Sequence, residues 1–349
     1  MIFYSLFLST YYTMIKEYLK LARSFNAVLT GISPVMGAIS MEQYDLITLF
    51  ILFLIGFFGH TYGFVLNDII DYEVDKTSKD IRDRPLISGT ISIKKAWIFA
   101  ILSMILSFSF AVYLSYSTSN YFPILLLIGS AFFITLYDMV SKKLLGSDIF
   151  VAIGVFLLIL YGASITVENI SYITRFSWIV CILGSIQVLF MQFIAGGLKD
   201  IENDFINKAK TIAMKMGVRI QKKELIVTPS FKCLAYGLQL LDMIVVFLPF
   251  FIIWDIKNLE FIQYLQGTII VFIGIIMFYL SSKLLNMKKF DRRKVRKYIG
   301  SHYVINFTIV PIMLMKLNPW TGLLIFFPSL GFILSNIILH GTIAQPKTM

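Results

Sequence analysis

Two short acidic stretches have the residue types and spacing to do chemistry. The first is Asn67-Asp68-Ile69-Ile70-Asp71-Tyr72-Glu73-Val74-Asp75, which follows directly on the apolar run 46–66. Carboxylates that continue a membrane-length apolar run are costly, and they usually mark a substrate or ion site. At roughly 100° per residue, Asn67, Asp71 and Asp75 fall at about 0°, 40° and 80° around a helix, with Asp68 near 100°. One amide and three carboxylates therefore share a narrow face. Like charges at this spacing repel, so something positive should sit against them. An oxygen-rich set of this kind suits Mg²⁺, which keeps several waters and takes a few carboxylates together with substrate phosphates.

The second stretch, Lys199-Asp200-Ile201-Glu202-Asn203-Asp204-Phe205-Ile206-Asn207-Lys208-Ala209-Lys210-Thr211, closes the apolar run 176–198. Asp200, Asp204 and Asn207 again share a face, Lys208 flanks it, and Glu202 points away. Two such faces could close around one diphosphate with bridging metal ions. The plainer alternative is a pair of solvated helix ends whose charges only fix topology, but then the acids should scatter. The loop after the first stretch is basic and contains Arg82-Asp83-Arg84-Pro85-Leu86-Ile87-Ser88-Gly89. Guanidinium groups grip phosphate oxygens as a fork, so Arg82 and Arg84 could complete a diphosphate site. Anchoring to anionic lipid headgroups is the competing role.

The pattern N-D-x-x-D-x-x-x-D, then R-P-L-x-S-G-x-I-S, then D-x-x-x-D with a following K-T, resembles the UbiA-type intramembrane prenyltransferases. The resemblance covers roughly residues 21–316. It implies a helical membrane enzyme that moves a prenyl group from a prenyl diphosphate to an acceptor with Mg²⁺. It also implies that Asn26 faces the cavity, and that a tyrosine and a lysine at the end of the fourth span reach the diphosphate. Here these would be Tyr137 and Lys142, five apart where the family has four. A one-residue slip turns a helical side chain by about 100°, so a helix end or bulge has to compensate.

The elements that must position these groups are apolar. The chain has 349 residues, 58% hydrophobic and 15% charged, with a mean hydropathy of +0.80. This is far from a soluble composition. Apolar runs recur at about 25–39, 46–66, 96–116, 122–136, 149–167, 176–198, 234–254, 262–285 and 298–315, which predicts an all-α polytopic bundle of nine helices. A further run, 323–339, adds either a tenth helix or a re-entrant element. The expected organisation is an N-terminal interfacial segment (1–23), one membrane domain (24–316) and an extra C-terminal helix and tail (317–349). Spans one to four and five to eight each carry an acidic stretch after their second helix, a weak repeat of about 133 residues. Gly56, Gly59 and Gly63 have small-residue spacing for close helix packing.

The net charge of +11 sits in loops 76–95, 142–143, 199–232 and 288–297, alternating with loops poor in basic residues. That is a topology signature, not a nucleic-acid footprint, and it predicts a cell-membrane protein with its N-terminus and both acidic stretches cytoplasmic. Cys181 and Cys233 offer no disulfide framework or metal spacing. The expected reaction is Mg²⁺-dependent prenyl transfer from a prenyl diphosphate to a phenolic ring or a glycerol-ether lipid alcohol. Asp68, Asp71, Asp75, Asp200 and Asp204 would hold metal. Asn67 would orient a ligand, and Lys142, Lys208 and Arg84 would contact phosphate. Tyr72-Glu73-Val74-Asp75 with the later Arg84-Pro85 leans toward the archaeal ether-lipid branch. A cation-coupled transporter and a CDP-alcohol phosphotransferase are the alternatives, although the D-G-x-x-A-R opening of the latter is absent.

Overall fold

The computed structural model describes residues 2–77, 81–222, 224–254, 257 and 259–343, with side chains from residue 12 onward. Lys79 of the basic loop and the tail residues 344–349 lie outside the described residues. Helices α1 (Ile2–Leu21), α2 (Ser24–Ile39) and α3 (Leu46–Ile70) lead to a one-turn α4 (Tyr72–Asp75). Then come α5 (Ile93–Thr118), α6 (Phe122–Val140), α7 (Asp148–Ser164) and α8 (Arg175–Leu189). A π-helical stretch, Phe190–Gly196, links α8 to the short α9 (Gly197–Lys199), α10 (Ile201–Ile206) and α11 (Ile212–Lys215). The chain continues through a hairpin, β1 (Arg219–Gln221) and β2 (Glu224–Ile226), into α12 (Pro229–Ile252) and α13 (Phe261–Leu285). It closes with α14 (Arg292–Asn306), α15 (Ile309–Leu314), a 3₁₀ stretch Pro319–Ile325 and α16 (Phe326–His340).

Among the described residues, seven helical stretches are long and apolar enough to cross a membrane, and Ser24–Ile39 and Asp148–Ser164 are shorter apolar helices. Polar caps start them where the sequence changes character. Asp45, Ser92, Thr174 and Thr228 each accept a hydrogen bond from the backbone N–H three residues on, satisfying one orphan donor of the first turn. Ile98, Ile101, Leu102 and Ile105 of α5 are exposed. Such a stripe suits lipid, where it has no water to avoid.

The core sits where α2 meets α3, α7 and α8, and there the helices touch through backbone. A Cβ on Gly162 would lie 1.8 Å from the Pro34 carbonyl oxygen, and one on Gly37 would lie 2.0 Å from that of Ile159. Any side chain at either position would drive α2 and α7 apart. Gly56 meets Gly31 of α2, and Gly63 meets Ile134 of α6, as the small-residue spacing anticipated.

Several elements differ from the sequence expectation. The ninth run is not one helix but α14 and α15, interrupted at 307–308. The tenth run is a helix packed on α2, with Phe332 against Phe25 at 5.9 Å and Gly331 against Val28. The loop 199–232 holds the small hairpin, the only sheet among the described residues. Both acidic stretches also break helix at one residue. Asp71 (φ −81°, ψ 1°) ends α3, and Asp200 (φ −100°, ψ 7°) ends α9. These breaks pair Asp71 with Asp200, one helical turn from the pairing that a 133-residue repeat gives.

Candidate active site

One cavity of about 290 Å³ takes lining from both acidic segments: Asn67, Asp71 and Asp75 from the first, Asp200, Asn203 and Asp204 from the second. The i→i+4 backbone bonds survive both breaks. Asp75 N–H donates to the Asp71 carbonyl at 2.8 Å, and Asp204 N–H donates to that of Asp200 at 2.9 Å. Each pair of carboxylates therefore stays on one face despite the break.

The positive partners that the first row demands are present. Arg23, in the left-handed link between α1 and α2 (φ 45°), donates to Asp68 at 2.6 Å, and its guanidinium lies 4.7 Å from the centre of the Phe64 ring. Buried Arg84 pairs with Asp75 and, at 3.3 Å, with Asp68. Lys142 reaches Asp71 at 3.2 Å and Asp75 at 4.0 Å. Helix α6 ends at Val140, so Lys142 lies beyond regular helix, and both it and Tyr137 line the cavity. Both side chains thus border the same cavity at the five-residue spacing.

The second row is held more loosely. Asp200, half-buried, lies 2.8 Å from Arg292 of α14 and 3.3 Å from Lys199. Burial would raise its carboxyl, but Lys199, Arg292, Arg84 and Lys142 outweigh that and hold it below the usual range. Asp204 is buried and makes no ion pair among the described residues. Burial, reinforced by Asp200, pushes its carboxyl up to about 7. Burial alone would lower Lys142, but Asp71, Asp75 and Asp200 hold its ammonium above its ordinary value. One lysine thus feels both rows.

Not every predicted residue reaches the cavity. Asp68 is buried outside the lining and tethers Arg23 and Arg84 instead. Arg82 and Lys208 are exposed and outside the lining, while Arg84 and Asn26 are inside it. Asn207 is also outside. Its amide donates to the Asn203 carbonyl and side chain at 2.9 Å, and Asn203 is the residue that lines the cavity. Sequence reasoning missed Arg23, Lys199, Arg292 and Asp138. Arg23 and Arg292 come from distant elements and had no spacing signal. Asp138, adjacent to Tyr137, did lie in plain sight.

The donor set fits Mg²⁺ in one specific sense. All candidate ligands are hard oxygens, although among the described residues no group of three or more His, Cys, Asp or Glu side chains is placed to hold a metal ion. Mg²⁺ commonly keeps several waters and takes only one or two carboxylates together with substrate phosphates.

Away from the acidic mouth the cavity runs between α3, α5, α6 and α7, past Gly59, Met104, Phe108, Leu127 and Ile134. A second cavity shares Asn26, Thr30, His60, Val151 and Tyr303 with the first and runs between α2, α7 and α8, past Ile32, Met36, Ile159 and Val180. Two mainly apolar arms thus meet near one charged mouth.

A helical bundle whose two acidic rows line one cavity has the build of a polytopic membrane protein with a charged internal site. The UbiA prenyltransferase family model matches residues 40–268, so the chain belongs to that family and is a prenyltransferase. Among its relatives, a digeranylgeranylglyceryl phosphate synthase of Saccharolobus solfataricus is 28% identical over 257 residues, covering 70% of this chain and 87% of the relative. One of Methanobrevibacter smithii is 25% identical and covers 83% and 95%. A UbiA homologue from Aeropyrum pernix K1 has a similar fold, with a TM-score of 0.64 at 13% identity over 86% of this chain and 98% of its own. A homologue from Archaeoglobus fulgidus, bound to GPP and Mg²⁺, gives a TM-score of 0.61 at 16% identity over 85% and 98%.

Proposed function

We propose that the chain transfers a prenyl group from a prenyl diphosphate to the hydroxyl of a glycerol-ether lipid alcohol, with Mg²⁺, at a cytoplasm-facing mouth of a cell-membrane domain. The observation that carries this reading is the convergence of Asp71, Asp75, Asp200 and Asp204 with Arg84 and Lys142 on one cavity. Asp71 and Asp75 on one row and Asp200 and Asp204 on the other would hold the cation, which neutralises charge on the departing diphosphate. Lys142 and Arg84 would add direct positive charge to phosphate oxygens. The carbon–oxygen bond to diphosphate breaks with its electron pair going to diphosphate. A new bond forms from the acceptor oxygen to the same carbon, and the hydroxyl proton leaves with the diphosphate. The apolar arms exclude water from the electron-poor carbon.

Two observations favour a lipid alcohol over a phenol. The relatives above are synthases of a glyceryl phosphate lipid. The second arm also offers an apolar acceptor a wall of its own, past Ile32, Met36, Ile159 and Val180. Asn26 lines both cavities, and its Oδ1 is buried without a partner, so it can meet a hydroxyl there. The test supplies purified protein with Mg²⁺, a labelled prenyl diphosphate, and a panel of phenolic and glycerol-ether acceptors. Labelled glycerol diether is expected. Labelling of phenols alone would overturn the acceptor assignment, and labelling of neither would overturn the transfer reaction.

A further inference from the structure

The cations at the mouth fall into two groups, and the reaction proposed above uses only one. Lys142 and Arg84 pair with Asp71 and Asp75 of the first row. On the opposite side Lys199 and Arg292 both pair with Asp200, at 3.3 Å and 2.8 Å, and both line the cavity. Their side chains are only 13% and 10% exposed, whereas that of Asp200 is 36% exposed. Arg23 lines the same cavity; it donates to Asp68 at 2.6 Å, but its Nε is buried without a partner. Arg23 and Arg292 act on the Lys199 ammonium more strongly than Arg84 does. Three cations within reach of one another repel, and an anion between them would relieve that repulsion.

Both arginine-bearing elements lead from the mouth into the second arm. On α14, Arg292, Ile299, Tyr303 and Asn306 fall within about 60° of one another around the helix. Arg292 and Ile299 line the first cavity, Tyr303 lines both, and Asn306 lines the second. Arg23 heads α2, where Asn26 and Thr30 follow and line both cavities. Each strip begins in charge and passes through hydroxyl and amide groups toward the apolar arm. Such a gradient matches an amphiphile whose chain lies in the arm, whose hydroxyl meets Asn26 and whose anionic head reaches the mouth. We infer that Arg292, Lys199 and Arg23 form a second anion site, separate from Arg84 and Lys142, that binds a phosphate monoester carried by the acceptor lipid alcohol. Arginine suits this role, because its planar fork engages two phosphate oxygens at once and it does not deprotonate. The site selects glycerol ethers that carry a phosphate over those that do not, and leaves the reacting hydroxyl at Asn26. The inference rests on the lipid-alcohol reading proposed above.

The test uses the purified full chain and two probes, a monoprenyl glyceryl phosphate and the same monoprenyl glycerol lacking the phosphate. Binding is read without turnover, from the rise in unfolding temperature as each probe is titrated in the absence of prenyl diphosphate. The phosphate-bearing probe is expected to bind about tenfold or more tightly than the alcohol. Arg292→Gln should remove most of that difference and leave the affinity for the alcohol unchanged. Arg292→Lys keeps a charge without the fork and should fall between the two. In steady-state transfer, Arg292→Gln should raise KM for the phosphate-bearing acceptor more than KM for the prenyl diphosphate. Arginine that serves only to neutralise Asp200 would give a loss shared equally by both probes. That result, equal affinities of the unmodified chain for the two probes, or a KM effect on the prenyl diphosphate alone would overturn the phosphate site and leave transfer to a lipid alcohol standing. Binding of neither probe by the unmodified chain would overturn both.

Discussion

The two acidic segments have nearly the same spacing but are held differently. Asp68, Asp71 and Asp75 are clamped by Arg23, Arg84 and Lys142, which arrive from the α1–α2 link, the basic loop and the end of α6. Asp200 is half open, and Asp204 has no ion pair among the described residues. The first row is therefore part of the scaffold as well as the site. The second has fewer ion pairs among the described residues, and Asp200 is its more open member. A diphosphate with its cations would meet a heavily ion-paired wall on one side and a less paired one on the other.

The largest expected effects test whether both rows are needed. Asp71→Ala and Asp200→Ala should each abolish transfer, by about a thousandfold or more, while the protein still inserts and folds. Turnover retained in one of them would assign the cation to the other row alone. Removing the positive partners should separate the rows. Arg84→Ala leaves Asp68 and Asp75 with an uncompensated buried charge and should cost about 3–5 kcal/mol of stability. Arg292→Ala removes an arginine as buried as Arg84, but Asp200 is half-exposed and keeps Lys199 at 3.3 Å, so the loss should be smaller than that of Arg84→Ala. Equal losses in thermal or denaturant unfolding would erase the contrast.

A smaller effect comes from pH. The Asp204 carboxyl is raised to about 7, so between the ordinary carboxylate range, near 4, and about 7 the folded state binds the extra proton. Its contribution to stability is present below that window and is lost as pH rises through about 7. Divalent cation binding at Asp204 must displace the proton, so affinity should rise over the same window. Cation-free unfolding and Mn²⁺ titrations at several pH values would check both slopes, and Asp204→Asn should flatten them. The smallest effects belong to Arg82→Ala and Lys208→Ala, whose side chains are exposed outside the cavity. Steady-state transfer should change by less than about twofold, within the range of surface changes.

Much of this site was legible because helical spacing projects directly onto a face. Asp71, Asp75, Asp200 and Asp204 needed only an apolar run before them and a four-residue repeat. Angular counting failed where the helix stopped being regular. Beyond the break at Asp200, Asn203 and not Asn207 lines the cavity, and just past the end of α6 at Val140 Lys142 lies 3.2 Å from Asp71. Arg82 and Arg84 looked equivalent in a basic loop. Only Arg84 is buried against Asp68 and Asp75.

The sequence by itself determined most of the apolar helices, the mainly helical class and the two acidic rows, though not the number of spans, because hydropathy and helical period are local properties of consecutive residues. Which cation met which carboxylate was decided by the tertiary structure alone. Arg23 and Asp68, Arg292 and Asp200, and Asp138 and Asn67 are brought together by helix packing, and charge is paired in space, with no regard for distance along the chain.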